Sequence, residues 1–373
     1  MPDLTASAEN IQAHLDALCA GIGNRLAASD EERLAAEYCR EYLQELGLSG
    51  VTIEEFPFHL WGWDVCKVTA DDGSDARELT TIPVASSQPT PGCVERTAAK
   101  PTGAGGRGGE AQQGGVEGEL VCVDNALPAD LARVDTRGKV LLVWGGHGGD
   151  SSKLAALNDT GAAAILWVDE RLPFDWPVSI GTPYDWRDVC QVPQVCVAYT
   201  DAWEMAATVA RGGTVRVRMQ SDMWAEARPS VNVFGDLPGS GDEFVHVGGH
   251  LDCVVVGTGA DDDASGIAVT LEVARLLAEG GETPLRTVRF MGYGAEEQLS
   301  EGSRRYVEAH TDEVDRTRLC VQLDSVGSIA GRNEARVVGP VELTEATRAL
   351  VGLSPGASAK GEPDVPYSAS VIE

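Results

Sequence analysis

The stretch from His250 to Glu297 restricts this chain more than any other. It sets one histidine and a series of carboxylates at short offsets inside an alternating strand and helix pattern. It reads His250-Leu251-Asp252, then Asp261-Asp262-Asp263-Ala264-Ser265-Gly266, then Ala295-Glu296-Glu297, and Asp324 closes the apolar run LCVQL. Each group is expected just past the end of a strand: Phe244 to Val247 ahead of His250, Leu285 to Tyr293 ahead of the glutamates, and Leu319 to Leu323 ahead of Asp324. Strands alternating with helices imply a mainly parallel, helix-flanked sheet, and such sheets place ligand sites at the carboxyl ends of their strands. An imidazole and several carboxylates gathered there suit a divalent cation that accepts nitrogen and oxygen ligands. The adjacent glutamates permit one to bind metal while the other moves protons.

Each group also has a plainer reading. A lone H-x-D is common. Three acids ahead of a helix are what a helix N-terminus favours, although their mutual repulsion invites a cation. A Glu-Glu pair can be a solvated turn, but here it follows the apolar FMGYGA. An acid closing a buried strand, as Asp324 is expected to do, needs a counter-charge.

The rest of the chain supplies the frame. At 373 residues it exceeds the usual span of one core, so two domains are expected. With 58 acidic against 29 basic residues and a net charge of -29, the surface repels nucleic acid and anionic membranes. So acidic and lysine-poor a chain also suits a salt-adapted proteome. Nine scattered cysteines without a C-x-x-C pair point to reduced thiols rather than a disulfide framework or a cysteine-rich zinc module. The N-terminal residues lack a basic flank and an apolar core, and no stretch reaches the ~20 apolar residues of a membrane span. A cytoplasmic location is therefore expected.

Along the chain, Ser29 and Glu32 form a capping-box pattern ahead of a helix whose face is Leu34, Tyr38 and Tyr42 with Ala35, Cys39 and Leu46; Gly47 stops it. Residues 89–115 are rich in Gly, Pro, Ala and Thr and read as a solvated loop. Strands are expected at 119–123, 139–144, 162–168, 192–197 and 214–219, with helices near 153–158 and 201–211. The Gly-rich 145–150 lacks the GK[ST] of a phosphate loop and reads as a surface loop. After Pro229 the strand and helix alternation resumes, with a helix from Ala264 to Glu279 carrying Ile267, Leu271, Ala274 and Ala278 on one stripe, ended by Gly280-Gly281. No G-x-S-x-G elbow is present, and Cys253 lacks a dedicated base, which argues against a serine or cysteine hydrolase. Cys253 reads as a packed thiol.

Two resemblances follow from these residues. DLARVDTRGKVLLV followed by KLAALNDTGAAAILWV resembles the protease-associated domain found in several exopeptidase families. HLD, GADDDASGIAVTLEVAR, RTVRFMGYGAEEQLSEGSRRY and LCVQLDSVG, in that order over 225–330, resemble the co-catalytic zinc exopeptidases of the leucyl aminopeptidase and glutamate carboxypeptidase type. The resemblance implies a discontinuous catalytic domain of 1–75 and 223–373, interrupted by an inserted, smaller α/β protease-associated domain at 76–222. It implies peptide substrates and two zinc ions: His250, Asp262 and Asp324 on one, with Asp262 bridging to a second bound by Glu297. Glu296 would be the general base, Asp252 would stand behind His250, and Asp263 would support the bridging acid. One departure stands out. The family uses a late histidine for its second zinc, yet none of the six histidines here lies beyond His310, itself a poor substitute. The second site is therefore expected to be incomplete, through truncation or divergence, and the alternative reading is a weakly active or inactive peptidase-like binding protein.

Overall fold

The computed structural model describes residues 5–85, 87–92, 114–145, 156–168, 175–177, 191–328, 333–350 and 367–372. Most of the expected loop at 89–115, the Gly-rich 146–150 and the start of the expected helix at 153 lie outside the described residues.

The helix Asp30–Glu45 shows how local chemistry sets an element. Ser29 caps it by accepting from the Glu32 amide at 3.0 Å, and three acids in its first turn suit the positive end of the helix dipole. Only half of the expected capping box forms, because the Glu32 carboxylate turns into the protein and accepts from the Ala28 amide instead. The buried stripe is Glu32, Ala35, Ala36, Cys39 and Leu43, and Leu34 is exposed. Gly47, at φ 77, ends the helix, with the Leu48 amide returning to the Leu43 carbonyl.

That stripe packs on a five-stranded sheet ordered Ser49–Phe56, Ser230–Leu237, Thr287–Tyr293, Phe244–His250, Thr317–Gln322. The α/β, helix-flanked class is as expected, but the pairing is mixed. Phe244–His250 pairs in parallel with Thr287–Tyr293 and Thr317–Gln322, whereas the two outer pairings on the other side are antiparallel. The parallel part brings three carboxyl ends to one edge. On the covered face, helix Gly266–Gly280 buries Ile267, Leu271 and Ala274 against Val231, Val233 and Phe290, as its stripe predicts. Burying each large aliphatic side chain contributes about 1.5–3 kcal/mol. Among the described residues Thr317–Gln322 has a strand partner on one side only and alternates between half-buried and exposed, so the strand before Asp324 is not the buried one expected, and Asp324 is exposed.

A second, eight-stranded sheet is built from residues 66–83 and 116–221. Its central strands Val116–Cys122, Val140–Trp144, Ala164–Val168 and Gln194–Val197 are parallel and almost wholly apolar inside. All four lie close to the expected strands, and helix Tyr199–Ala210 follows them. Strand Cys66–Asp71 joins this sheet, ahead of the expected boundary at 76. A shared apolar cluster places Leu26, Ala27, Val255 and Ala295 with Trp61, Leu141 and Trp167, so both sheets flank the loops that carry the site residues.

Candidate metal centre

His250 is the last residue of its strand and has no exposure. Its Nδ1 lies 3.0 Å from the backbone carbonyl of Asp252. A carbonyl can only accept, so Nδ1 carries a proton there, and Nε2 is the nitrogen left to face a ligand. Nε2 faces Asp262 Oδ1 at 2.8 Å, and Glu296 Oε2 stands 4.0 Å away. The Asp252 group that meets the imidazole most closely is its carbonyl, with the carboxylate at 3.6 Å. That carboxylate instead accepts from the amides of Glu296 (2.9 Å) and Glu297 (3.2 Å).

The three aspartates at 261–263 do not act as one N-terminal cluster. An irregular turn, Ala260–Ser265, precedes the helix, and within it Asp262 and Asp263 have non-helical dihedrals, so the three side chains do not share one helical face. The peptide between them is cis. Asp262 points outward, half-exposed. Asp263 is fully buried and accepts from the amides of His250 (2.9 Å), Gly266 (2.8 Å) and Ser325 (3.3 Å). It thereby ties together the segments bearing His250, Asp262 and Asp324. The packing leaves no room for a side chain at Gly249, where an added Cβ would stand 2.5 Å from Asp263 Oδ2. Asp261 Oδ1 accepts from the Gly327 amide at 3.0 Å.

Ligand atoms of His250, Asp262 and Asp324 lie within 4.8 Å of one another, the only such group of three among the described residues. Glu297 is outside that group; its Oε1 accepts from the Val254 amide at 3.0 Å. Glu296 turns the other way, with Oε1 accepting from Ser300 Oγ at 2.9 Å, so the two adjacent glutamates diverge as a division of roles requires. His310 pairs with Glu54 at 2.7 Å and takes no part. Cys253 is buried and accepts from the Arg25 amide; burial pushes its thiol up to about 11.

The electrostatics are those of acids short of a cation. Burial, followed by the charges of Asp252 and Asp262, pushes Glu297 up to about 8. Burial also raises Glu296 and takes Asp263 up to about 7. Burial alone would lower His250, but the carboxylates of Asp252 and Asp262 raise it well above the ordinary imidazole range. A divalent ion between Nε2 and the two aspartates would satisfy both the lone pair and the crowded charges.

Two residues essential to this geometry were not singled out in the sequence. Arg25 is buried and directs its guanidinium to the carbonyls of Leu251, Thr258, Gly259, Leu18 and Gly23, which fixes the loop between His250 and Asp262. Glu32, read only as a helix cap, accepts from Ala295 in the glutamate turn; burial, then the charge of Asp252, pushes it up to about 8. The contacts of Arg25 with Leu251, Thr258 and Gly259 and of Glu32 with Ala295 carry no sequence signal, since each bridges more than 200 residues.

Residues 232–352 match the family model for Peptidase family M28. The chain is 26% identical over 317 residues to Carboxypeptidase Q of Rattus norvegicus, covering 82% of this chain and 62% of that protein. It thus spans less than two thirds of that relative. Among solved structures, the aminopeptidase from Aneurinibacillus sp. strain AM-1 superposes with a TM-score of 0.68 at 24% identity, over 98% of this chain and 80% of that one. A zinc aminopeptidase from Bacillus subtilis gives 0.66 at 20%, over 99% and 81%. At these identities the structural matches establish the fold.

Proposed function

From a chain whose residues 232–352 match the model of peptidase family M28, we propose a zinc-dependent exopeptidase that hydrolyses a terminal peptide bond. The observation that carries this reading is the meeting of His250 Nε2, Asp262 and Asp324 within 4.8 Å, with Glu296 Oε2 standing 4.0 Å from the imidazole. One nitrogen and two carboxylates would give zinc the three protein ligands that a catalytic site takes, from ligand types that zinc accepts. Zinc held there would polarise the scissile carbonyl and lower the pKa of a water. The chain's own residues do the rest. Asp252 keeps His250 in the tautomer that leaves Nε2 free. Glu296 accepts the proton of the attacking water and returns it to the leaving nitrogen, a role suited by its raised pKa. Glu297, turned away from Glu296, would with Asp262 be the residue to hold a second ion.

Beside Glu297 and Asp252 the walls formed by Leu26, Ala27, Trp61, Ala85 and Val255 close to a cavity of about 10 Å³, room for a water and not for a substrate side chain. Residues 76–222 fit a protease-associated insertion, of which Ala85 reaches that wall, and a reducing cytoplasmic setting fits a chain with no disulfide among its described residues. The test is a panel of aminoacyl chromogenic and N-blocked dipeptide substrates, run with metal-stripped protein and with added zinc. Zinc-dependent release from one substrate class supports the reading and decides between amino- and carboxypeptidase. Tight zinc binding with no turnover on any substrate would favour the binding-protein alternative.

A further inference from the structure

The turn carrying Glu296 and Glu297 is held in an unusual way. Four consecutive backbone amides, 294 to 297, each donate to a buried side-chain oxygen. Gly294 donates to Asn232 Oδ1 at 3.1 Å, Ala295 to Glu32 Oε1 at 3.1 Å, and Glu296 and Glu297 to the two oxygens of Asp252 at 2.9 and 3.2 Å. The three acceptor residues are each at most 1% exposed. They come from three separate elements: a strand, the helix Asp30–Glu45, and the loop behind His250. The carbonyls of the same turn are matched as well, since Gly294, Ala295 and Glu296 accept from the amides of Gly302, Glu301 and Ser300. Asn232 closes the circuit by donating to the Gly302 carbonyl at 2.9 Å. There is no slack: a Cβ on Gly294 would lie 2.6 Å from Glu32 Oε1, and one on Gly302 would lie 2.1 Å from the Gly294 carbonyl oxygen.

We infer that Glu32 and Asn232, with Asp252, form an acceptor cradle that sets the backbone of the 294–297 turn, and that Glu32 is a positioning residue for Glu296 and Glu297. The need for such a device follows from the backbone. Ala295 has a φ of 50, a conformation that costs a non-glycine residue energy and persists only when its surroundings hold it. Glu32 holds that residue directly. Its Oε1 also accepts from Ser230 Oγ at 2.8 Å and its Oε2 from the Ala28 amide at 2.8 Å, so the carboxylate is itself locked from both sides. Glu32 touches neither the candidate ligands nor a reacting atom. Its effect passes through the Ala295 peptide to the two glutamates that follow. The inference rests on the proposed function only for the roles of those glutamates; the cradle itself is testable without any substrate.

The experiment compares full-length wild type with Glu32→Ala and Glu32→Gln. It reads amide exchange at Ala295, zinc affinity by titration of metal-stripped protein, and kcat and KM on the best substrate of the panel. Glu32→Ala removes the acceptor of Ala295. It is expected to raise exchange there at least tenfold, to weaken zinc about 10- to 100-fold, as the loss of outer-sphere partners does, and to lower kcat with little change in KM. Glu32→Gln can keep an oxygen against Ser230 and Ala295 while setting its NH2 against the Ala28 amide. It is expected to expose Ala28 to exchange, keep Ala295 protected, and hold zinc within about threefold of wild type. Unchanged Ala295 exchange and zinc affinity in Glu32→Ala would overturn the inference. Should that variant fail to fold, loss of Ala295 protection in a folded Glu32→Gln, equal to that at Ala28, would overturn it as well. Absence of turnover by wild type would sink the functional reading while leaving the exchange result to judge the cradle.

Discussion

Replacing Asp263 by alanine tests how far the stability of this fold depends on one carboxylate. Asp263 is fully buried and satisfies three amides, of which those of His250 and Gly266 lie in buried surroundings while that of Ser325 is only partly buried and can reach water. A buried donor left without an acceptor costs about 1–3 kcal/mol, so two of them cost about 4 kcal/mol. Against this, burial has pushed Asp263 up to about 7, which means that its ionised form is itself unfavourable in the metal-free protein. That offset brings the expected loss for Asp263→Ala to about 2–3 kcal/mol, or about 5–10 °C in Tm for a cooperative unit of this size. Calorimetry should be run with chelator and again with zinc. A bound cation removes the reason the carboxylate is costly, so the deficit of the variant should grow in zinc. Asp263→Asn should fall between the two, because one oxygen can still serve Gly266 and Ser325 while its NH2 faces the His250 amide. A Tm within 2 °C of wild type for Asp263→Ala under both conditions would refute the reasoning, since it would mean that the three amides find other acceptors.

Three further outcomes are expected. Glu296→Gln should leave zinc content unchanged and lower kcat by about 10²–10⁴-fold; loss of metal in that variant would make Glu296 a ligand. Arg25→Lys should lower Tm and weaken zinc about tenfold by titration, because an ammonium cannot span the five carbonyls that the guanidinium reaches; unchanged affinity would show that the 251–259 loop holds itself. In chelator the protein should lose stability as pH rises from about 5 to about 8. Asp263, Glu297 and Glu32 have folded pKa values raised to about 7, 8 and 8, so their contribution is complete below the ordinary carboxylate range and is lost as pH rises through those values. Zinc should flatten that slope. Melting curves across pH, with and without zinc, would count against the assignment if the slopes were equal.

What could be read from the sequence was local. The stripe Ile267, Leu271, Ala274 announced its helix, Gly47 and Gly281 announced helix ends, and the apolar runs before His250 and Glu296 announced strands that end at the site. Spacing within a few residues also separated Glu296 from Glu297. Relations across the chain were not legible. Glu32 satisfied a local rule as the third residue of a helix, and nothing nearby signalled that its carboxylate would cross to Ala295. Arg25 lies in an unremarkable loop, and its partners are carbonyls, which carry no side-chain signature. Asp324 was misjudged for a related reason. LCVQL is apolar enough for a central strand, but only pairing shows that, among the described residues, it has a strand partner on one side only.

The same distinction explains how so many acids can be gathered at one sheet edge. Asp252, Asp263 and Glu32 are fixed by backbone amides, which supply hydrogen bonds without neutralising charge. Arg25, the buried cation beside them, directs its guanidinium to carbonyls and forms no ion pair with the aspartates among the described residues. The supporting acids are therefore rigid and not paired with Arg25, and Glu297 shares their burial, whereas Asp262, facing His250, and Asp324 are exposed. The buried carboxylates cannot relax by swinging into water, so burial favours either their protonated forms, the direction in which Glu297 and Asp263 are shifted, or a nearby cation. Metal binding and folding at this edge then draw on one electrostatic term. Protons and zinc should accordingly compete, with zinc affinity falling steeply below pH 7 as the carboxylates fill with protons.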